Sequence, residues 1–156
     1  VGCPRQAPDG MNIKGHYLQD AWAKGIIIGT IASPDHGGGH GKIGVWANAL
    51  TRESLFEAFR ARHTFGTSGA KMELLFRSGE YMMGDKVRAV YDPIEFEVRA
   101  SALHPIEEVV IFRNNQIVHR EAPGKPSVQL PWTDARIHAA DNHLAWSSPI
   151  WFLDNV

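Results

Sequence analysis

The sequence predicts an α+β chain in which a helix-and-strand portion over residues 1–69 precedes a small β-sandwich over residues 70–156. Three observations carry this. An unbroken apolar, β-branched run extends from Gly25 to Ala32, an amphipathic helix pattern extends from Thr51 to Arg62, and the apolar residues switch to period-two alternation after Lys71.

The elements follow in order. Val1 to Gly15 holds three glycines, two prolines and little apolar periodicity, which reads as an irregular lead-in. Tyr17, Leu18, Ala21 and Trp22 recur at helical spacing, and Gly25 stands where a left-handed helix cap belongs, so a short helix is predicted over Tyr17–Lys24. The run Gly25–Ala32 then suits a strand covered on both faces, as in a parallel sheet, and it opens into a glycine-rich loop from Ser33 to Lys42. In a parallel α/β layout that loop, at the carboxyl end of a strand, is where ligands bind. For the second helix, Thr51 supplies the cap, Glu53 sits in the first turn, and Arg60, Arg62 and His63 crowd the last, with Leu55, Phe56 and Phe59 as the buried face. Ile94, Phe96, Val98, Ala100 and Ala102 alternate with charged or polar residues, which predicts a strand with one face on a core. Glu108–Arg113 and Gln116–Glu121 flank Asn114-Asn115, a pair that tolerates the positive φ of a tight hairpin. Arg136–Ala139 and Leu144–Phe152 are further strands, the last one at an edge or interrupted because Pro149 lacks an N–H.

The first portion holds one strong strand and two helices, too little to enclose a core. It is therefore expected to pack on the β-rich part, on another subunit of a homo-oligomer or hetero-assembly, or on a missing upstream part of a larger α/β domain.

Composition narrows the function. With 156 residues, 44% hydrophobic and 21% charged, the chain is an ordinary globular protein rather than a disordered or collagenous one. Sixteen Lys and Arg against seventeen Asp and Glu leave a net charge of -1, which creates no field for a phosphate backbone or an anionic lipid surface, so neither nucleic acid nor membrane is an expected partner. No run approaches the roughly 18 apolar residues of a membrane span, and the start has no apolar signal-peptide core. It reads as a processed terminus or as a cut inside a longer protein. Cys3 is the single cysteine and cannot form an internal bridge, so the compartment is open.

Chemistry concentrates in the glycine-rich loop. Asp35, His36 and His40 offer a carboxylate and two imidazoles, the donor set for zinc, manganese or iron, against the plainer reading of a polar surface loop. The glycines between His36 and His40 exclude the helical two-histidine zinc motif. Gly37-Gly38-Gly39-His40-Gly41-Lys42 is not a phosphate loop either, because His36 stands where its first glycine should be and Ile43 where Ser or Thr should follow the lysine. Thr67-Ser68-Gly69 and Trp146-Ser147-Ser148 lack a nucleophile elbow. The remaining histidines read as surface or packing residues. Trp22, Trp46, Trp132, Trp146 and Trp151 read as core and interface residues, with the alternative that an aromatic cluster on an exposed sandwich face binds a sugar or a partner.

Several strings taken together are familiar: Ile31-Ala32-Ser33-Pro34-Asp35-His36, Gly44-Val45-Trp46-Ala47, the stretch from Leu50 to Gly69, and Leu144-Ala145-Trp146-Ser147-Ser148-Pro149-Ile150-Trp151. From about Tyr17 to Trp151 the chain resembles the carboxyl-terminal part of an uncharacterised family allied to the PHP (polymerase and histidinol phosphatase) metal-dependent phosphoesterases. The resemblance implies the βα end of a distorted PHP-like barrel over residues 1–69, carrying the last metal-ligand motif, followed by a β-sandwich. It also implies hydrolysis of a phosphoester small molecule by bound divalent metals, which lower the pKa of a water and neutralise charge on phosphate. The last ligand motif of that superfamily is Asp-x-His. With His36 on its histidine, Pro34 occupies the aspartate position and Asp35 is one residue out of register, while His40 matches no ligand and is a candidate from loop composition alone. Most ligands of such a centre would come from motifs this sequence does not contain, so the isolated chain is expected to show little or no phosphatase activity. Two functions stay open: the tail of a PHP-like hydrolase, or a non-catalytic β-sandwich module for binding or assembly.

Overall fold

A computed structural model describes residues 17–34, 39–88, 95–131, 135–139 and 144–153. Among them are two helices, α1 (Leu18–Ala23) and α2 (Arg52–Ala61), and eleven strands: β1 (Lys42–Val45), β2 (Thr64–Thr67), β3 (Met72–Ser78), β4 (Tyr81–Met82), β5 (Lys86–Arg88), β6 (Glu97–Arg113), β7 (Gln116–Glu121), β8 (Lys125–Leu130), β9 (Ala135–Ala139), β10 (Leu144–Ser147) and β11 (Trp151–Leu153).

The spine is β6. Its first half pairs with β3 on one side, Met72 to Arg77 against Ala102 to Glu97, and with β8 on the other. Its second half pairs with β9 and β7. The exchange of partners falls between Ala102 and Ile106, where Pro105 has no N–H to give a ladder. One long strand therefore serves two sheet segments: β4-β3-β6-β8, and β7-β6-β9-β10-β2-β1, all antiparallel. Between them lies the core, in which Phe65, Leu74, Phe76, Val98, Ile106, Val109, Ile111 and Ala145 are all buried. The alternation of Val98 and Ala100 with the exposed Arg99 is the period-two pattern of a half-buried strand. Asn114 and Asn115, at φ 50° and 62°, turn β6 into β7 at the predicted position. Pro149 interrupts the last predicted strand: β10 ends at Ser147 and β11 resumes at Trp151, in a parallel ladder with β5.

The βα portion of a PHP-like barrel expected in the first 69 residues is not formed, and no barrel closes among the described residues. The run from Gly25 to Ala32 supplies no strand. Its backbone is held instead by hydroxyl groups: Thr30 N donates to Ser148 Oγ at 2.8 Å, Thr30 Oγ1 donates to the Ser147 carbonyl at 2.9 Å, and Thr64 Oγ1 donates to the Thr30 carbonyl at 2.8 Å. Nor is the run covered on both faces, since Ile26, Ile28 and Ile31 are 48%, 39% and 64% exposed. The sheet it was expected to join is antiparallel, and β1 and β2, from the same stretch of sequence, belong to it through β10.

One exposed cluster on the β3-β6-β8 segment gives a pH-dependent expectation. Arg77 Nε and Arg99 Nε donate to the two oxygens of Glu97 at 2.5 and 2.6 Å, and Gln129 also donates to it. These bonds, Arg99's first and then Arg77's, hold the carboxyl below its ordinary value of 4.5. A depressed folded-state pKa stabilises the fold above that ordinary value, and the contribution is lost as the pH falls through the folded-state pKa. Urea denaturation is expected to show Glu97→Gln less stable than the parent at neutral pH, by a small amount because the cluster is exposed. The two curves converge in acid.

Candidate functional site

The sequence from Tyr17 to Pro34 forms an arm that lies over the outer face of the β10-β2 part of the sheet. α1 begins where Tyr17 N donates to Asp20 Oδ2 at 2.9 Å, and it ends before Gly25, whose φ of 75° a glycine adopts freely. The indole Nε1 of Trp22 donates to the Ile28 carbonyl at 2.9 Å, fastening helix to arm, and Asn115 Nδ2 in the β6-β7 turn donates to the Gln19 carbonyl at 2.9 Å. Farther along, Ser148 locks the arm to β2: its hydroxyl accepts from Thr30 N and donates to the Thr64 carbonyl at 2.7 Å. Every one of these hydroxyls is buried.

Between arm and sheet a cleft of about 680 Å³ remains. Side-chain alternation explains its β10 wall. Ala145 points into the core, so Trp146, its neighbour on β10, faces the opposite way and is half-buried; on β6 the alternation breaks, with Val109, Val110 and Ile111 all buried, and the register shifts before Phe112, which is half-buried and lines the cleft. Tyr17 and Trp22 of the arm, together with Trp151, complete an aromatic lining, with Asn114 and Asn115 at its rim. One face of the Trp151 ring is taken by the Arg62 guanidinium, 5.5 Å from its centroid.

The second surface feature is α2. Its cap follows the predicted chemistry: Thr51 Oγ1 accepts from Ser54 N at 3.2 Å, and Arg62 closes the helix at φ 62°. Its burial does not. Of the face expected to be buried, Leu55 is half-buried while Phe56 and Phe59 are 60% and 46% exposed, and Leu50 just ahead of the helix is 92% exposed. The reason is position. α2 packs against β1, the last strand of the sheet, and is tied down at its end by Arg62 Nε donating to the Gly84 carbonyl at 2.9 Å. Among the described residues no strand other than β2 pairs with β1.

Asp35 and His36, the candidate metal ligands of the glycine-rich loop, lie outside the described residues. His40 is described and exposed, with its backbone and Cβ closing on Gly69. Among the described residues no group of three or more His, Cys, Asp or Glu side chains is disposed to hold a metal ion. His63 is half-buried, its Nε2 at 2.8 Å from Asp85 Oδ1, and Asp85 Oδ2 in turn accepts from Met82 N at 2.9 Å, so this pair fastens the β4-β5 turn to the end of α2. From the sequence, Trp22, Trp46, Trp132, Trp146 and Trp151 read as core and interface residues, with an aromatic cluster as the alternative; that Trp22, Trp146 and Trp151 line the cleft, joined by Tyr17 and Phe112, depends on which faces the arm and the sheet present.

Fold and surface thus define a β-rich module with an aromatic cleft and an uncovered apolar helix face, and no helix among the described residues is long and apolar enough to cross a membrane. A family described as "Protein of unknown function (DUF3604)" matches residues 12–94, and the chain belongs to that family. It is also similar to an uncharacterized protein of Chlamydia pneumoniae, 29% identical over 157 residues that take in 82% of this chain and 25% of the relative. The chain therefore spans about a quarter of the length of the curated relative it matches. No solved structure matches.

Proposed function

We propose that this chain is a non-catalytic assembly module of a longer protein, and that it docks on the rest of that protein through the apolar face of α2. The observation that carries the reading is the exposure of Leu50, Phe56 and Phe59 on one short stretch of the surface. Helix side chains at core spacing that stay in water contribute no burial free energy until something covers them, and such clusters mark interaction surfaces. That the match takes in only 25% of the Chlamydia relative supports a covering partner within the same polypeptide.

The test is the double substitution Phe56→Glu with Phe59→Glu. In the isolated chain it is expected to abolish binding of a hydrophobic dye and self-association at high concentration, while the thermal midpoint stays within a few degrees of the parent. In the longer polypeptide the same pair is expected to expose the module to limited proteolysis. A parent chain that is monomeric at high concentration and binds no dye overturns the docking face. Elemental analysis of the dialysed chain tests the hydrolase alternative: near-stoichiometric zinc, manganese or iron, lost in His36→Ala, would replace the assembly reading with that of a metallohydrolase portion.

A further inference from the structure

We infer that the cleft between the arm and the sheet is a binding site for a neutral carbohydrate, a site separate from the α2 docking face. Three features of the cleft select the ligand class. First, its volume of about 680 Å³ is that of a small-molecule site, for which about 300 to 1,000 Å³ is usual. Second, its walls are aromatic from both sides, with Tyr17 and Trp22 on the arm and Phe112 and Trp146 on the sheet. Third, among the described residues no Asp, Glu, Lys, Arg or His side chain lines it, and the polar groups there are amides, hydroxyls and indole N–H groups, Asn114 and Asn115 among them.

A pyranose ring has the complementary chemistry. Its axial C–H groups form an apolar face that stacks on an indole or phenol ring, and its equatorial hydroxyls exchange hydrogen bonds with amides at the edge. A nucleotide or an organic acid would bring its anionic charge into a cleft whose described lining carries no cation, the Arg62 guanidinium beside it being engaged by the Trp151 ring and the Gly84 carbonyl. The walls are also held in place before a ligand arrives. Trp22 is fixed by its bond to the Ile28 carbonyl, the arm by the Thr30, Thr64 and Ser148 hydroxyls, and the rim by the bond from Asn115 to Gln19. Preorganisation of this kind reduces the ordering cost of binding.

The experiment is a titration of the full chain with cellotetraose, chitotetraose and maltotetraose, followed by tryptophan fluorescence and by isothermal calorimetry. Saturable binding of at least one of them at micromolar to millimolar concentration is expected. Trp22→Ala is expected to weaken it tenfold or more, and Trp22→Phe, which keeps a stacking face, to weaken it less. Trp46→Phe serves as the control, because Trp46 lies outside the cleft with its indole donating to the Leu74 carbonyl at 2.8 Å, and it should leave the affinity unchanged. Circular dichroism of each variant separates lost binding from lost folding, and Tyr17→Ala provides a second cleft variant if Trp22→Ala unfolds. No saturable response to any of the three sugars overturns the proposal. So does binding that Trp22→Ala and Tyr17→Ala leave untouched in folded protein, or a response to a proline-rich peptide with none to the sugars.

Discussion

Phe76→Ala is expected to destabilise the chain by about 3 to 5 kcal/mol, read as a fall in the urea midpoint with little change in slope. Phe76 lies in the middle of β3, opposite Val98 of the spine strand, and is 1% exposed. Its ring stacks on Phe96 with centroids 5.6 Å apart and planes at 7°, and the Phe96 and Phe152 rings form a T-shaped pair with centroids 5.5 Å apart. Truncation removes the largest fully buried side chain among the described residues and leaves a cavity that the β-sheet backbone on both sides cannot collapse to fill. It also strips Phe96 of its stacking partner, an interaction of about 0.5 to 1.5 kcal/mol. Against a total stability of roughly 5 to 15 kcal/mol for a protein of ordinary size, the loss is a large fraction of the whole. Phe76→Leu, which keeps most of the volume, should lose markedly less. A loss for Phe76→Ala under about 1 kcal/mol, the level of an average substitution, would contradict the core described above.

Gly84→Ala is expected to be nearly as damaging, at about 3 kcal/mol or more, for a different reason. Gly84 sits at φ 100°, a conformation that strains any residue with a side chain, and a Cβ there would stand 2.4 Å from the carbonyl oxygens of both Ala61 and Arg62. Strain of about 1 to 3 kcal/mol adds to a steric clash of similar size. Because the obstructing atoms belong to the backbone at the end of α2, relief requires the helix end to move. That movement would lengthen the bond from Arg62 Nε to the Gly84 carbonyl and disturb the neighbouring His63–Asp85 pair. Thermal denaturation combined with amide exchange tests both parts: a lowered midpoint, and faster exchange in α2 than in β6. A variant with parental stability would show that the turn and the helix do not press on one another.

Much of the local structure was legible in the sequence. Thr51 and the charges of the following turns bracket α2 to within a residue at each end, Asn114-Asn115 marks the hairpin, and Pro149 marks the break between β10 and β11, because caps, positive φ and a missing N–H act on their immediate neighbours. The errors concern partners distant in sequence. Gly25–Ala32 has the composition of a buried strand, yet Thr30 within it meets the Ser148 hydroxyl, and no local pattern announces a contact with residue 148. Phe56 and Phe59 have core spacing, but spacing cannot tell whether a helix will find a second surface beyond an edge strand. For the cleft, the tryptophans were visible and their convergence was not. Asp35 and His36 of the candidate ligand loop lie outside the described residues, so the geometry speaks only to His40.

The pairing of β2 with β10 sets Phe65 of the first beside Ser147 of the second, and it has a consequence for how the protein is made. On the ribosome, β2 emerges well before its neighbour. Until residues 144–147 follow, the hydrogen-bonding edge of β2 away from β1 is open, with Phe65 uncovered beside it, a template for pairing with another nascent chain. The central sheet is completed only once residues 144–147 have followed, so a product terminated before β10 should be a client for chaperones that bind extended apolar segments, and a candidate for degradation, even though most of the strands described above are present.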